Sequence, residues 1–277
     1  MISPSDTLRL PDGYSEADAV ITLFRDKAGW CPYCQKVWLH LELKGVPFKM
    51  STVPMRSYGD KPSSFTSRVP SGLLPAFDVG GRTFTESSVL MDIVEQLYPT
   101  SAGYKDMSAP ANSDHLKRLE RALFSSWCTL IFRPPPSRSV FGVPMPLTVD
   151  SRLSDFKSTL SSVSSALEES STVWFGNSPH ATSLDLLYVS HVERMLASVM
   201  YWTGADMRSF GLEGLNAWLD AFDADERYLG TKGDYYTHIK DIPPQYGQVR
   251  ASRRSEATSL RGSTPDNFKC KRNGSCY

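Results

Sequence analysis

The stretch AGWCPYCQKVWLHLELKGVPF, residues 28–48, decides the fold of the first half of the chain. Two cysteines, Cys31 and Cys34, lie three positions apart at the start of a run with helical character. Pro32 suits the first turn of a helix, because the amide proton that it lacks has no partner there. Gly45 is typical of the position just past a helix end. The pattern predicts a helix that begins at Pro32 and ends just before Gly45.

The residues around this helix carry strand signals. AVITLF (19–24) and VPFKM (46–50) are short, apolar and partly β-branched, which is typical of buried strands. After a loop over 51–72, the pair Gly80-Gly81 separates two further strand-like runs and predicts a hairpin. A helix follows from about Ser87. The order β-α-β, loop, β-β-α predicts an α/β domain with a mixed sheet and helices packed on it.

The second half of the chain has a different pattern. Strand signals fade from about residue 112, and Pro134-Pro135-Pro136 ends the first of several segments with helical periodicity. Apolar residues recur at helical spacing in the segments 116–131, 184–199 and 212–222, and the segment 150–169 predicts a polar, serine-rich helix. This half is therefore predicted to be all-α.

Changes of composition along the chain predict its organisation. The serine-, glycine- and proline-containing segment around residues 100–112 predicts a boundary, and the polar, basic composition beyond about residue 242 predicts a flexible tail. The expected parts are a polar leader over 1–18, an α/β domain over 19–100, an all-helical domain over 112–230 and the tail over 242–277.

Charge and hydropathy exclude several classes of function. Acidic and basic residues balance at 30 each, so no strong positive field would attract a nucleic acid. No window approaches the roughly 18 apolar residues that a membrane span needs. The first residues also lack the cationic and apolar segments of a secretory signal. The composition predicts no nucleic-acid partner and no transmembrane segment.

The number of cysteines indicates the redox compartment. Five cysteines in 277 residues is an odd count, and the chain is neither short nor cysteine-dense, unlike secreted disulfide scaffolds. A reducing compartment is expected, either the cytoplasm or the stroma or matrix of an organelle.

The pair Cys31 and Cys34 suggests several kinds of chemistry. A structural zinc site needs four ligands, usually from two close pairs, and the sequence shows one such pair, so no metal site is expected. A thiol at the first turn of a helix meets unpaired amides and the positive end of the helix dipole, which favour the thiolate. This placement predicts Cys31 as a nucleophile and Cys34 as a resolving thiol. A pair of inert buried thiols or a structural disulfide stays open as the alternative.

Two further pairs of residues could contribute to a site. A cis bond between Leu74 and Pro75 would aim the backbone N–H and C=O of Leu74 toward a peptide ligand, although an ordinary edge-strand proline also fits. Glu86 and Ser87 open the next helix, where a carboxylate, a hydroxyl and free amides could bind an ammonium and a carboxylate together. A plain helix cap explains them equally well.

Together, CPYC (31–34), LLPAF (73–77) and TESSVLMDIVEQLYP (85–99) resemble the glutathione transferase superfamily. The resemblance is to its cysteine-type branch, the omega, lambda and dehydroascorbate-reductase-like classes, and CPYC has the form found in glutaredoxins. Thr182 and Asp185 match a capping box of the family's second domain. The resemblance covers roughly residues 19–230. It implies an α/β N-terminal thioredoxin-like domain followed by an all-α C-terminal domain, the glutathione transferase architecture.

The resemblance also implies roles for individual residues. Cys31 would form a mixed disulfide with glutathione, and Cys34 keeps a dithiol route open. The tripeptide backbone would pair with Leu74 beside Pro75. The remaining expected glutathione contacts are Pro32 and Tyr33 at the cysteines, Lys61 at the glycyl carboxylate, and Glu86 and Ser87 at the γ-glutamyl end.

The expected function is that of an enzyme, a glutathione-dependent thiol transferase or oxidoreductase with mixed-disulfide chemistry at Cys31 that could extend to dehydroascorbate. Its co-substrate would be glutathione, its second substrate an electrophile or a disulfide, and its assembly a homodimer or larger. The alternative is a non-catalytic binding or assembly subunit of the same fold that uses its C-terminal extension.

Overall fold

The computed structural model describes residues 6–55, 60–132, 137–140, 143–146 and 149–239. The chain divides into two compact units that are not contiguous in sequence. The first comprises Met1–Ala109, Ala181–Ser190 and Phe222–Gly233, and the second comprises Pro110–His180, His191–Ala221 and Asp234–Tyr277. The boundaries expected from the sequence stay predictions, and the expected tail over 242–277 lies outside the described residues.

A five-stranded sheet forms the centre of the first unit. The order of its strands in space is β1-β3-β2-β4-β5. Strands β2 and β3 are parallel, and the other neighbours are antiparallel. The strands are β1 (Asp6–Arg9), β2 (Ile21–Asp26), β3 (Phe48–Val53), β4 (Ala76–Val79) and β5 (Arg82–Thr85). The predicted mixed sheet is confirmed.

The edge strand β1 was not expected, because its residues lie in the segment interpreted as a polar leader. Thr7 pairs with Met50 and Leu8 with Lys49 in an antiparallel ladder. An edge strand is held by backbone hydrogen bonds and has one open side, so it can be short and polar. Apolar patterning, on which the sequence analysis depends, therefore gives no signal here.

The helices are α1 (Pro32–Lys44), α2 (Ser63–Thr66), α3 (Ser87–Leu97), α4 (Asp114–Ile131), α5 (Val149–Glu168), α6 (Ser183–Thr203), α7 (Glu213–Asp223) and α8 (Glu226–Thr231). Helices α1 and α2 lie between strands of the sheet in the sequence, and the other helices come after β5. Helix α1 ends as predicted, since Gly45 has φ +69° in the left-handed region and its N–H bonds to the carbonyl of Leu41. Within the first unit α1 packs against α3 and α8.

The segments 137–140 and 143–146 differ from the all-helical expectation for the second half. Strands β6 (Ser137–Val140) and β7 (Val143–Pro146) pair antiparallel, with Val140 opposite Val143. Pro144 and Pro146 lie in β7, and proline is rare inside strands, so the strand signal is weak here. The other long elements described in the second unit are helices as predicted, and α4 packs against α5.

Helix α6 carries buried polar residues among its apolar ones. Glu193 and Arg194 are almost fully buried and form an ion pair. Glu193 also contacts His238, with 2.7 Å between Oε1 and Nε2. In the part of the chain that the structure describes, no helix combines the length and the apolar character needed to cross a membrane.

Candidate active site

The site begins at the N-terminus of α1. Cys31 is the N-cap residue and Pro32 is the first residue of the helix. The Cys31 carbonyl accepts the Gln35 N–H at 3.0 Å, so the helical hydrogen bonds start at Cys31. Cys31 and Cys34 are free thiols, 5% and 1% exposed respectively. The structure thus places both cysteines on the first turn, with Cys31 the more accessible of the two.

A buried carboxylate, which the sequence analysis did not single out, lies beneath this turn. Asp26 ends β2 and is 1% exposed. Its Oδ2 accepts the backbone N–H of Trp30 at 2.9 Å and that of Cys31 at 3.3 Å. Gly29, at φ +78°, allows the chain to turn back so that these amides face the strand end. Asp26 therefore fixes the loop that carries the first cysteine.

Cys34 is held in a strongly desolvated environment. Burial raises the pKa of the Cys34 thiol well above its ordinary value, and the hydrogen bond with Cys31 and the negative charges of Cys31 and Asp26 add to the effect. Cys34 therefore retains its proton and can donate it in a hydrogen bond to Cys31. A thiol that donates a hydrogen bond stabilises a neighbouring thiolate.

Two cations lie beside Asp26 and the two cysteines. Arg25 donates from Nη1 to the Asp26 carbonyl at 2.6 Å, and its guanidinium lies 4.3 Å from the centre of the Trp38 ring. Burial lowers the pKa of Arg25, while the charges of Asp26 and Cys34 oppose that shift. Because arginine stays protonated in proteins, Arg25 supplies a permanent positive charge close to the buried thiol.

Lys61 is the second cation. Its Nζ donates to the Pro54 carbonyl at 3.0 Å, and its side chain runs past Gly72, where an added Cβ would lie 3.4 Å from Lys61 Cδ. Burial lowers the pKa of Lys61, whereas the charges of Cys34, Cys31 and Asp26 favour its protonated form. The structure therefore brings this residue, selected from the sequence, within electrostatic range of both cysteines.

The Leu74–Pro75 peptide bond is cis, the geometry that the sequence analysis considered. Leu74 is half-buried and packs against a small cluster of apolar side chains, which consists of Val53, Phe65, Val69 and Ala76. The Lys61 ammonium lies 5.7 Å from the Phe65 ring of that cluster. Leu74 and Lys61 therefore lie against the same apolar cluster.

Strand pairing brings Pro75 and Glu86 to the same end of the sheet. Ala76 pairs with Thr85 across β4 and β5, so the residues that adjoin this pair, Pro75 and Glu86, lie at that end of the hairpin. Ala76 also pairs with Phe24 of β2, two residues before Asp26. The carboxyl end of β2, the cis-proline and the start of α3 thus share one edge, and such edges commonly bind ligands in α/β folds.

Glu86 has an unusual backbone conformation for its residue type. It is the N-cap of α3, with φ +69° and ψ 109°. The other non-glycine residues with positive φ among those described are asparagines, which tolerate it. Within the described residues the Glu86 side chain makes no capping hydrogen bond, and it is exposed. The helix-cap explanation is therefore disfavoured, because the carboxylate is not used for capping.

The remaining predicted contacts lie beside these groups. Ser87 is the first residue of α3 and is half-buried. Pro32 is buried, whereas Tyr33 is half-buried and its ring lies 5.4 Å from the Lys36 ammonium. Every site residue selected from the sequence lies in the first unit. The omitted residue, Asp26, had a signal: an acidic residue ending an apolar strand five positions before Cys31.

The capping box predicted at the start of α6 is present in part. The Asp185 carboxylate accepts the Thr182 N–H at 2.8 Å and the Thr182 hydroxyl at 2.9 Å. Both residues are buried. Asp185 therefore accepts the hydrogen bonds of the N–H and the hydroxyl of Thr182, as the family pattern implies.

Known proteins match part of this chain. Residues 30–97 match the family model of the glutathione S-transferase N-terminal domain. The probable glutathione S-transferase DHAR1, cytosolic, of Oryza sativa subsp. japonica is 37% identical over 76 residues, 27% of this chain and 34% of that protein. Glutathione S-transferase DHAR3, chloroplastic, of Arabidopsis thaliana is 35% identical over 74 residues, 27% of this chain and 28% of that protein. The chain thus matches about a third of the length of these relatives.

The solved structures extend the likeness beyond the matched segment. The dehydroascorbate reductase of Chlamydomonas reinhardtii has a TM-score of 0.65 and 16% identity, and the alignment covers 83% of this chain and 99% of that protein. At this identity the likeness shows the fold. The fold and the matched domain define a thioredoxin-like unit of the glutathione transferase type, followed by helices. The resemblance to the cysteine-type branch of the glutathione transferase superfamily is thereby confirmed.

Proposed function

We propose that the chain is a glutathione-dependent thiol transferase that uses Cys31 as its nucleophile and reduces dehydroascorbate. The observation that carries the proposal is the arrangement at the first turn of α1. Cys31 caps the helix, its amide is held by Asp26, and Cys34 beneath it keeps its proton because its pKa is raised. The two cysteines therefore have different roles in this proposal. Cys31 attacks the substrate, while Cys34 stays protonated until a mixed disulfide has formed.

The proposed exchange begins with the Cys31 sulfur. The Cys31 thiolate attacks the glutathione sulfur of a mixed disulfide, a new S–S bond forms, and the other thiolate leaves and takes a proton. A second glutathione then attacks the Cys31 adduct, releases oxidised glutathione and restores the Cys31 thiolate. In the dithiol route Cys34 attacks the Cys31 sulfur of the adduct, and the glutathione thiolate leaves and takes the proton that Cys34 loses. Two further glutathione molecules then reduce the Cys31–Cys34 disulfide and leave as oxidised glutathione. Reduction of dehydroascorbate would draw its two electrons and two protons from two molecules of glutathione.

The glutathione would lie along the edge defined by Pro75 and Glu86. Glu86 and Ser87 would bind the ammonium and carboxylate of the γ-glutamyl end, since the free amides of α3 and the exposed carboxylate offer both charges. Leu74 would pair with the tripeptide backbone, and Lys61 would bind the glycyl carboxylate. Pro32 and Tyr33 would contact the ligand beside Cys31.

The relatives support the choice of substrate and compartment. The family model of the glutathione S-transferase N-terminal domain matches residues 30–97, which include Cys31, Leu74 and Glu86. Two relatives that match part of the chain are DHAR-type glutathione S-transferases, and a dehydroascorbate reductase shares the fold. One of these relatives is named cytosolic and the other chloroplastic. We therefore place this chain in the cytoplasm or an organelle stroma or matrix. A homodimer or larger assembly belongs to the same proposal.

The test is a pair of assays with reduced glutathione, one with a small mixed disulfide and one with dehydroascorbate. Wild type, Cys31→Ser and Cys34→Ser are compared, and Cys128→Ser serves as the matched control because Cys128 lies in the second unit. Cys31→Ser is expected to lose at least about a hundredfold in kcat/KM in both assays, since the nucleophile is gone. Cys128→Ser is expected to keep full activity.

The behaviour of Cys34→Ser separates the two routes. Retained activity would identify a monothiol enzyme, and lost activity a dithiol one. A wild type that binds glutathione but turns over neither substrate would overturn the enzyme proposal and support the binding or assembly subunit instead.

A further inference from the structure

Three potential metal ligands converge at the end of β2. Asp26, Cys31 and Cys34 each offer one ligand atom, a carboxylate oxygen or a sulfur, and the three atoms lie within 4.8 Å of one another. All three residues are buried. The sequence analysis expected no metal because it found a single cysteine pair. The fold adds a third donor from a different element.

Only one of the two carboxylate oxygens of Asp26 accepts hydrogen bonds among the described residues. Its Oδ2 accepts two backbone N–H groups. Its Oδ1 is buried and has no hydrogen-bond partner among the residues that the structure describes. A buried carboxylate oxygen without a hydrogen-bond partner destabilises the folded state, because it loses its hydration and forms no hydrogen bond within the protein. A cation bound beside it would remove that destabilisation.

The geometry and charge fit a small tetrahedral cation. In a tetrahedral site, zinc–sulfur bonds of about 2.3 Å and zinc–oxygen bonds of about 2.0 Å place two sulfurs about 3.8 Å apart and a sulfur and an oxygen about 3.5 Å apart. The ligand atoms lie within 4.8 Å of one another, so they need to close by about 1.3 Å at most. Two thiolates and a carboxylate carry three negative charges. Arg25 and Lys61 lie near these groups and would offset the charge that a divalent ion leaves unbalanced.

We propose that Asp26, Cys31 and Cys34 form a Zn²⁺ site with three protein ligands and one open position. Two sulfurs with one oxygen favour zinc over magnesium or calcium, which prefer oxygen ligands alone. On binding, each thiol releases its proton to the solvent, a Zn–S bond forms, and no electron is transferred. The fourth position is open to water or to an added thiol.

This site does not depend on the proposed thiol-transfer activity. If both proposals hold, zinc would occupy the Cys31 sulfur and stop the exchange reversibly. Metal binding is measured without turnover, so a failure of either proposal is recognised separately.

The experiment is a titration of the reduced full-length protein with Co²⁺, a spectroscopic substitute for zinc, followed by displacement with Zn²⁺. Wild type is expected to bind one equivalent, with thiolate-to-cobalt absorption and the visible bands of a tetrahedral ion. Cys31→Ser and Cys34→Ser are expected to lose the thiolate absorption, and Asp26→Asn to bind about tenfold or more weakly. Cys128→Ser and the double variant Cys270→Ser/Cys276→Ser are the controls, expected to bind as wild type does.

X-ray absorption of the zinc-loaded wild type gives a readout that needs no variant to fold. Two sulfur ligands together with oxygen ligands would support the site. Four sulfur ligands, loss of binding in the Cys270→Ser/Cys276→Ser variant, unchanged affinity in Asp26→Asn, or no binding by the wild type would each overturn it.

Discussion

Glu86 combines an exposed carboxylate with a backbone conformation that its side chain disfavours. At φ +69° a Cβ atom crowds the neighbouring backbone, and such a conformation persists where the surroundings impose it. Here the pairing of Ala76 with Thr85 and the hydrogen bond from the Leu90 N–H to the Glu86 carbonyl fix the residue on both sides. Glycine would adopt this conformation more easily, so the glutamate side chain itself requires an explanation.

We therefore expect Glu86→Gly to separate stability from ligand binding. Removal of the Cβ atom should raise the free energy of unfolding by up to about 1 kcal/mol. Loss of the carboxylate should weaken glutathione binding about tenfold or more, because a charge-assisted hydrogen bond disappears. Urea denaturation and calorimetric titration with glutathione measure the two effects.

The control for this variant is Glu86→Gln, which keeps the Cβ atom and removes the charge. It should weaken glutathione binding without the gain in stability. If Glu86→Gly instead destabilises the protein while glutathione affinity is unchanged, Glu86 has a structural role and not a ligand-binding one.

At the scale of single elements, the packing of α7 against α5 depends on a glycine. Gly214 lies in α7, and its N–H donates to Glu168 Oε1 at 3.0 Å. A Cβ atom at Gly214 would lie 2.6 Å from the Ser164 carbonyl oxygen, which belongs to the backbone of α5 and cannot rotate away. Helix propensity alone would favour alanine at this position, so tertiary packing and local preference oppose one another.

Gly214→Ala is accordingly expected to destabilise the protein by about 1–3 kcal/mol, because α7 and α5 would be forced apart. Gly230→Ala is the matched control: Gly230 also lies in a helix, α8, but an added Cβ would meet no atom within 4 Å. That variant should be neutral or more stable by up to about 1 kcal/mol. Thermal unfolding of the two variants checks the contrast, and equal effects would refute this account of the packing.

At the scale of the whole molecule, both units contain histidines buried beside carboxylates. His40 contacts Glu95 at 2.7 Å in the first unit, and His238 contacts Glu193 at 2.7 Å in the second. Burial lowers the pKa of His40 and of His238 below the ordinary value of 6.5, although the carboxylates oppose the shift. For Glu95, burial opposes ionisation, but hydrogen bonds from His40 and Lys44 outweigh it and lower the pKa.

These lowered pKa values make the free energy of unfolding depend on pH. A histidine whose pKa is lowered by folding takes up its proton first in the unfolded chain, so stability is full above about pH 6.5 and falls as the pH drops toward the folded pKa. Glu95 acts the same way below its ordinary value of 4.5. We expect the free energy of unfolding to decrease from pH 7 to pH 4, by up to about 1.4 kcal/mol per pH unit for each such histidine.

Urea denaturation at a series of pH values measures this slope. His40→Gln and His238→Gln each remove one titrating group, and Gln retains a donor for the carboxylate, so each variant should show a shallower slope between pH 6.5 and pH 4. A slope identical to that of the wild type in both variants would show that other groups govern acid stability.

Local chemistry explains which parts of the fold were predictable. Helix α1 was bounded by Pro32 and Gly45, whose backbone preferences act within one turn. The β4–β5 hairpin was marked by its glycine pair in the same way. Strand β1 was missed because an edge strand is specified by hydrogen bonds to the backbone of the neighbouring strand. Asp26 was missed because its role depends on the loop of Trp30 and Cys31, whose amides bond to it only in the folded chain.

Local sequence alone determined the order of the elements from β2 to α3, the helices of the second half, and the placement of both cysteines at a helix start, because these follow from interactions between residues a few positions apart. Tertiary structure alone decided that Asp26 faces the thiols, that Lys61 comes within range of them, and that Pro75 and Glu86 share one end of the sheet. These contacts arise from strand register and from burial. Register joins residues distant in sequence, and burial changes the charge of a group in a way that no local pattern encodes.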